Sequence, residues 1–184
     1  MTLMALNDSD RLAHVVTSAA SGDEVAFARI VAAHHDDMAR VAFVICRDAD
    51  VAQEAVQEAW SIAWRQLRGL REPQRLRAWL VSIAANEARQ AIRKDRRRTV
   101  RELGFEPSSA SRSLGADPGG LAPAMDLRNA LARLSPDDRA LLALRYVAGL
   151  DATELSRATG LSPSGTRARL ARLLATLRRE LTDA

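Results

Sequence analysis

Residues 99–123 read TVRELGFEPSSASRSLGADPGGLAP, and this segment constrains the fold more than any other. Glycine, proline and serine crowd it, and no helical stripe persists through it. The 184-residue chain therefore reads as two small cores rather than one. They are an N-terminal module, 9–98, and a C-terminal module, 124–184, joined by a flexible linker. The 25 linker residues could stretch to roughly 80 Å at most, and relaxed they would span about 25–30 Å.

Outside that segment the expected fold is all-α. Alanine, leucine, arginine and glutamate dominate, with apolar residues three and four apart. Val25, Phe27, Ile30, Val31, Met38, Val41 and Ile45 predict a helix over about 23–46, and Val51, Ala55, Ala59, Ile62 and Ala63 a second over about 49–67. A third starts near Leu76 and runs through Leu80, Ile83, Ala84, Ala88 and Ile92, and a shorter one is expected at about 9–20. RGLREPQR, with Gly69 and Pro73, is a loop. Beyond the linker, Ser135-Pro136-Asp137-Asp138 supplies a cap, a first-turn proline and two acids facing the positive helix end. Asp151 and Glu154 form a capping-box pattern, and Ser162-Pro163 repeats the cap-and-proline signal. Helices over about 136–148, 151–158 and 163–181 follow, with Gly149 and Gly160 closing the first two.

The formal net charge of +4 hides a division. Residues 1–64 hold 4 Arg/Lys against 10 Asp/Glu, whereas residues 65–98 hold 11 against 3. Such asymmetry suggests separate surfaces for a protein partner and for nucleic acid; its bland reading is ordinary solvated helix faces. No run of eighteen apolar residues exists, so no membrane insertion is expected. The acids of the N-terminus argue against export, and one cysteine, Cys46, allows neither an internal disulfide nor a CxxC zinc site. The location expected is the cytoplasm. Cys46 follows the apolar run VAFVI and reads as buried and inert.

DATELSRATGLSPSGTRARLARL has helix-turn-helix form. On its longer helix Leu170, Leu173, Leu174, Leu177 and Leu181 share one stripe. The opposite face centres on Ser164, Ala168, Ala171 and Arg172, flanked by Arg167 and Arg169. Small residues there let the backbone approach a major-groove floor, while arginines at the rim reach base edges or phosphates. A three-helix bundle with an arginine-rich solvent face is the competing reading. In the N-terminal module Glu54, Gln57, Glu58, Ser61 and Arg65 form one polar stripe. On the next helix Ser82, Asn86, Arg89, Arg93 and Arg96 align, with Trp79 at the stripe's edge. Arginine, asparagine and an aromatic suit phosphate contact, base-edge hydrogen bonding and stacking on unpaired bases, although Trp79 also suits a core. The RKDRRR run at 93–98 signals a polyanion without specificity.

GDEVAFARIV at 22–31, RDADVAQEAVQEAW at 47–60 and LRAWLVSIAANEARQAIRKDRR at 76–97 resemble the first conserved domain of bacterial sigma factors of the small extracytoplasmic-function class. Residues 131–181 resemble the C-terminal domain of the same class. The resemblance implies a promoter-specificity subunit that binds core RNA polymerase through Glu54, Gln57, Glu58 and Ser61, approached by Asp48 and Asp50. It implies a −10 element read and melted by the 68–75 loop, including Arg71 and Gln74, with Trp79, Asn86, Arg89 and Arg93. For the −35 element it implies Ser162, Ser164, Thr166, Arg167, Ala168, Arg169 and Arg172. Its partners would be core polymerase, double-stranded and melted promoter DNA, and an anti-sigma factor, with no cofactor. Glu54 and Ala55 stand where the family usually has Asp and Val, Leu76 where an aromatic is common, and Thr166 where an apolar residue is usual.

Two other readings remain open at this level. A stand-alone helix-turn-helix regulator would bind a palindrome tightly without polymerase, but a long flexible linker suits rigid half-site spacing poorly. A hydrolase or metalloenzyme lacks a constellation: adjacent His34 and His35 point about 100° apart on a helix, His14 is remote, and Asp36-Asp37 fits a helix surface.

Overall fold

The computed structural model describes residues 7–103 and 122–182. Four helices make the N-terminal bundle: α1 (Asp8–Ala20), α2 (Glu24–Cys46), α3 (Ala49–Gln66) and α4 (Leu76–Leu103). Each of the first three begins where a short polar side chain takes up orphan amides. Asn7 Oδ1 accepts from the Asp10 amide at 2.8 Å, Asp23 from Val25 and Ala26 at 2.9 and 3.0 Å, and Asp48 from Val51 at 3.0 Å. Between α2 and α3 the chain reverses within two residues. Arg47 takes the left-handed conformation at φ 59°, and its amide closes on the Phe43 carbonyl at 2.8 Å.

The bundle packs α2, α3 and α4 against one another through small side chains. Ala42, Ala59, Ala63, Ala84 and Ala88 are wholly buried, which lets the helices approach closely, and Met38, Val41, Ile45, Leu80 and Val81 fill the remaining volume. At one end Phe27 meets the edges of Trp60 and Trp64 with ring centroids 5.8 and 4.8 Å apart. Between α3 and α4 the expected loop consists of two 3₁₀ turns, Leu67–Gly69 and Pro73–Arg75. Arg68 Nε donates to the Ala20 carbonyl at 2.7 Å and ties this connection to the end of α1.

The second cluster comprises α5 (Ala122–Arg133), α6 (Pro136–Leu142), α7 (Ala152–Thr159) and α8 (Pro163–Thr182). The cap signals act as the sequence dictates. Ser135 Oγ accepts from the Asp138 amide at 3.1 Å, and Asp151 with Glu154 completes a reciprocal capping box. Gly160 ends α7 at φ 71°, a conformation that suits glycine. After Leu142 the helix widens into a π turn over Ala143–Val147, where the Ala148 amide reaches the Ala143 carbonyl at 3.0 Å.

The structure departs from the sequence reading in several places. Helix α4 continues to Leu103, so residues 99–103, assigned to the linker, are helical. Residues 104–121 of that linker lie outside the described residues. Helix α5 was not expected. Leu181, placed in the inward stripe of α8, is 41% exposed, one turn beyond buried Leu177. Most consequentially, the two clusters touch: α6 and the π turn pack on α2, and α6 and α7 also reach α4.

Candidate polymerase and promoter interfaces

The polar stripe of α3 is present as the periodicity requires. Glu54, Gln57, Glu58 and Ser61 are all exposed, on the side of α3 opposite buried Ala52, Ala55, Val56 and Ala59. They line one side of a groove of about 620 Å³, with Glu87, Gln90, Arg93, Lys94 and Arg97 of α4 on the other. Glu58 makes a loose 3.6 Å pair with Arg65, and Ser61 turns its hydroxyl back to the Gln57 carbonyl at 3.2 Å. Asp50 is exposed at the start of α3. Asp48 is different: its carboxylate caps α3, so its first role is to begin the helix that carries the stripe.

The second surface is α4 and the turns before it. Arg71, Gln74, Asn86 and Arg93 are exposed, while Trp79 is half-buried and packed on the bundle core. Arg89 is not free. Its side chain is only 20% exposed, and its Nη1 donates to Asp137 Oδ1 of α6 at 3.2 Å while Nη2 donates to Asn86 Oδ1 at 3.3 Å. Asn86 in turn donates to Glu87 at 3.0 Å, so the expected −10 residues form a chain of contacts that ends on the other cluster.

The third surface is the outer face of α8. Ser162, Ser164, Arg167, Ala168 and Arg172 are exposed, and Ser162 Oγ also caps the helix by accepting from the Gly165 amide at 3.1 Å. Arg169 is half-buried, with Nε and Nη2 both 2.8 Å from Asp138 Oδ1. Thr166 corrects the sequence reading outright: it is 0% exposed and cannot reach DNA. It lies near the inward stripe of α8, and its Oγ1 has no hydrogen-bond partner. Thr166→Val keeps the shape and removes a buried, unsatisfied hydroxyl, so it is expected to raise stability by about 1 kcal/mol, read from the midpoint of urea unfolding.

The seam between the clusters is held by arginines that sequence reasoning did not single out. Arg139, 7% exposed on α6, donates from Nε to the Ile45 carbonyl at 2.8 Å and from Nη1 to the Leu134 carbonyl at 2.7 Å. Arg77 of α4 donates to the Ala148 carbonyl and, at 2.6 Å, to Asp37 Oδ2 of α2. Burial pushes the Asp37 carboxyl up, but hydrogen bonds from Arg77 and Arg40 outweigh it and hold the group below its usual range. Burial lowers His34, with Asp37 opposing and Arg77 adding to the effect. Burial also lowers Arg139 and Arg47, to which Arg47 and Arg128 respectively add like-charge repulsion. Cys46 lies beside this cluster. Burial pushes its thiol up to about 12, Arg139 opposes that rise and Asp48 adds to it, so the sulfur stays protonated and unreactive at neutral pH. Among the described residues no three His, Cys, Asp or Glu side chains gather to hold a metal, and no helix is long and apolar enough to cross a membrane.

Two family matches fall on these surfaces. The sigma-70 region 2 family matches residues 30–98, and the sigma-70 region 4 family matches residues 124–177. The chain is 31% identical over 156 residues to the RNA polymerase sigma factor CarQ of Myxococcus xanthus, covering 80% of this chain and 84% of that protein. The chain belongs to the sigma factors of the extracytoplasmic-function type. A probable RNA polymerase sigma factor, RfaY of Xanthomonas campestris pv. campestris, is 32% identical over 178 residues. That alignment takes in 92% of this sigma factor but only 44% of the length of its relative. The solved complex of CnrH with the cytosolic domain of CnrY superposes with a TM-score of 0.64 at 28% identity, covering 96% of this chain and 99% of CnrH; CnrH is from Cupriavidus metallidurans.

Within this sigma factor, the region 2 match takes in most of α2, all of α3 and α4 as far as Arg98. The region 4 match spans α5 through most of α8. The seam residues were invisible to pattern reading because their partners are backbone carbonyls distant in sequence. Only the doublet Asp137-Asp138 at a helix start was conspicuous, and dipole compensation accounted for it.

Proposed function

We propose that the chain is a promoter-specificity subunit that joins core RNA polymerase and directs initiation at promoters carrying −10 and −35 elements. The observation that carries this reading is the presence of opposite chemistries on one scaffold. An acidic, glutamine-bearing stripe on α3 faces away from the core, while cationic faces lie on α4 and on α8. Glu54, Gln57 and Glu58 would meet a basic surface of the polymerase, with Asp50 and Ser61 at its edge. Asn86, Arg93 and, once released, Arg89 would hold the −10 strand. Arg71 and Gln74 would flank a base leaving the stack, an event that costs a few kcal/mol and is offset by pocket contacts. Half-buried Trp79 would offer the uncovered part of its ring beside them.

On α8, Arg167 and Arg172 are the exposed cations of the expected −35 face, Ala168 leaves room for the groove floor, and Ser162 and Ser164 reach phosphates. Arg169 contributes mainly by fixing α8 on α6 through Asp138. Thr166 has no place in this set. The same acidic and cationic faces would be covered by an anti-sigma factor, a reading supported by a relative, CnrH, solved with a protein partner. The protein would carry out no chemistry of its own and would act in the cytoplasm. Size-exclusion chromatography with core polymerase tests the reading: co-elution and a promoter-dependent gel shift only in the mixture are expected. Tight, palindrome-specific binding by the free chain would instead favour a stand-alone regulator.

A further inference from the structure

Among the described residues a single carboxylate is buried, and no ion pair accounts for it. Glu87 of α4 is 8% exposed and lines the groove between α3 and α4, whose other polar residues are all exposed. Its Oε1 accepts from the Asn86 and Gln90 side-chain amides at 3.0 and 2.6 Å. Its Oε2 takes no bond among the described residues, and no cation there pairs with the group. Arg93, Lys94 and Arg97 share the groove, yet none turns back to Glu87. Neutral amides compensate a buried charge only in part, so such a group belongs beside a cation. We propose that an arginine of core RNA polymerase supplies that cation. Its guanidinium enters the groove between Glu54 and Glu58 of α3 and Glu87 of α4, which makes Glu87 the buried anchor of the polymerase interface. The proposal rests on α3 being the polymerase-facing helix.

The groove continues the exposed stripe of α3, because Glu54, Gln57, Glu58 and Ser61 form one of its walls. At about 620 Å³ it admits a guanidinium together with part of its stem. A planar fork with five donors can bond Glu87 Oε2 and the side-chain carbonyl oxygens of Gln57 and Gln90, which a compact ammonium matches less well. An anion is disfavoured at this end of the groove, where three carboxylates gather. The cations lie further along α4: Lys94 stands seven residues beyond Glu87, about 10 Å down the helix, with Arg93 and Arg97 beside it. The matching partner surface is therefore an arginine with an acidic residue roughly two helical turns away. An arginine that loses its water in such a pocket is the kind of contact that dominates the energy of an interface.

The test uses immobilised core polymerase and full-length wild type, Glu87→Gln and Glu58→Arg, with association and dissociation rates read by surface plasmon resonance. Urea unfolding of the free chains gives stability. Glu87→Gln keeps the shape and an acceptor oxygen but removes the charge. It is expected to weaken polymerase affinity at least about tenfold, mainly through faster dissociation, while the free chain stays as stable as wild type or gains stability. A residue that only held α4 against α3 would lose stability and affinity together. A smaller loss of affinity, or a loss carried by the association rate, overturns the proposal. Where Glu87→Gln lowers the urea midpoint or unfolds the chain, Gln90→Trp decides, because it fills the groove from an exposed position: a loss of about tenfold or more supports the anchor and a smaller one refutes it. The rates are measured with and without magnesium and spermidine, and a Glu87 effect seen only in their presence assigns the groove to a small cation and overturns the proposal. Glu58→Arg separates the two failures. If it weakens binding and Glu87→Gln does not, the anchor alone falls; if neither does, or wild type fails to bind, the polymerase-facing reading of α3 falls with it.

Discussion

Glu58→Arg is expected to weaken binding to core RNA polymerase by at least about 30-fold, or roughly 2 kcal/mol, while leaving the fold intact. Both halves of the expectation come from where Glu58 sits. It is exposed in the middle of the α3 stripe, between Glu54 and Ser61, on the wall of the α3–α4 groove. Its ion pair to Arg65, the one among the described residues, is 3.6 Å long, with side chains 58% and 62% exposed. Such a pair is worth at most about 1 kcal/mol, so its loss scarcely touches stability. Against a basic partner the reversal replaces an attraction with a like-charge contact, which costs several kcal/mol when water is excluded. Titration of labelled polymerase with wild type and variant measures the effect. DNA binding by α8 is expected to be unchanged, because α8 shares no contact with this face. An affinity within threefold of wild type would remove α3 from the interface.

Leu155→Ala is expected to destabilise the C-terminal cluster by about 2–5 kcal/mol and to abolish −35-dependent activity. Helix α7 has eight residues, too short to persist alone in water, and Leu155 is its one fully buried side chain. Truncation leaves a cavity between α7 and α8 that neighbouring Ala152 and Ala158 are too small to fill. With α7 loosened, the turn at Gly160 no longer fixes the start of α8, and the exposed arginines of that helix lose their common orientation. Stepwise urea unfolding followed by circular dichroism is the measurement. The N-terminal bundle, which α7 meets chiefly at α4, is expected to keep its own transition and its polymerase affinity. A single transition shifted as a whole would mean that the seam couples the two cores tightly.

How much of this was legible follows from which interactions are local. Caps at Ser135, Asp151 and Ser162 act within three residues, so their sequence signals translated directly into helix starts. The stripe of α3 was equally plain, because periodicity reports a face without knowing what covers the opposite side. Helix α5 was missed because Leu127, Ala130 and Leu131 make only a thin stripe beside a glycine- and proline-rich stretch. The end of α4 was set too early because TVREL, which has no breaker, was grouped with the glycine-, proline- and serine-rich residues that follow it. Thr166 was placed outward because the resemblance took in the recognition helix as a run, from Ser162 to Arg172, whereas its helical phase turns it inward. The docking of α6 on α2 and α4 depends on Arg139 meeting a carbonyl 94 positions away. No pattern in the sequence foretells a bond of that kind.

Run-off transcription with purified core polymerase, on a library of upstream fragments from the native genome, tests the central claim most directly. The account predicts specific transcripts that need this chain, share recurring −35 and −10 sequences upstream of their starts, and disappear with Glu58→Arg. Equal transcription with and without the chain, across the whole library, would contradict it.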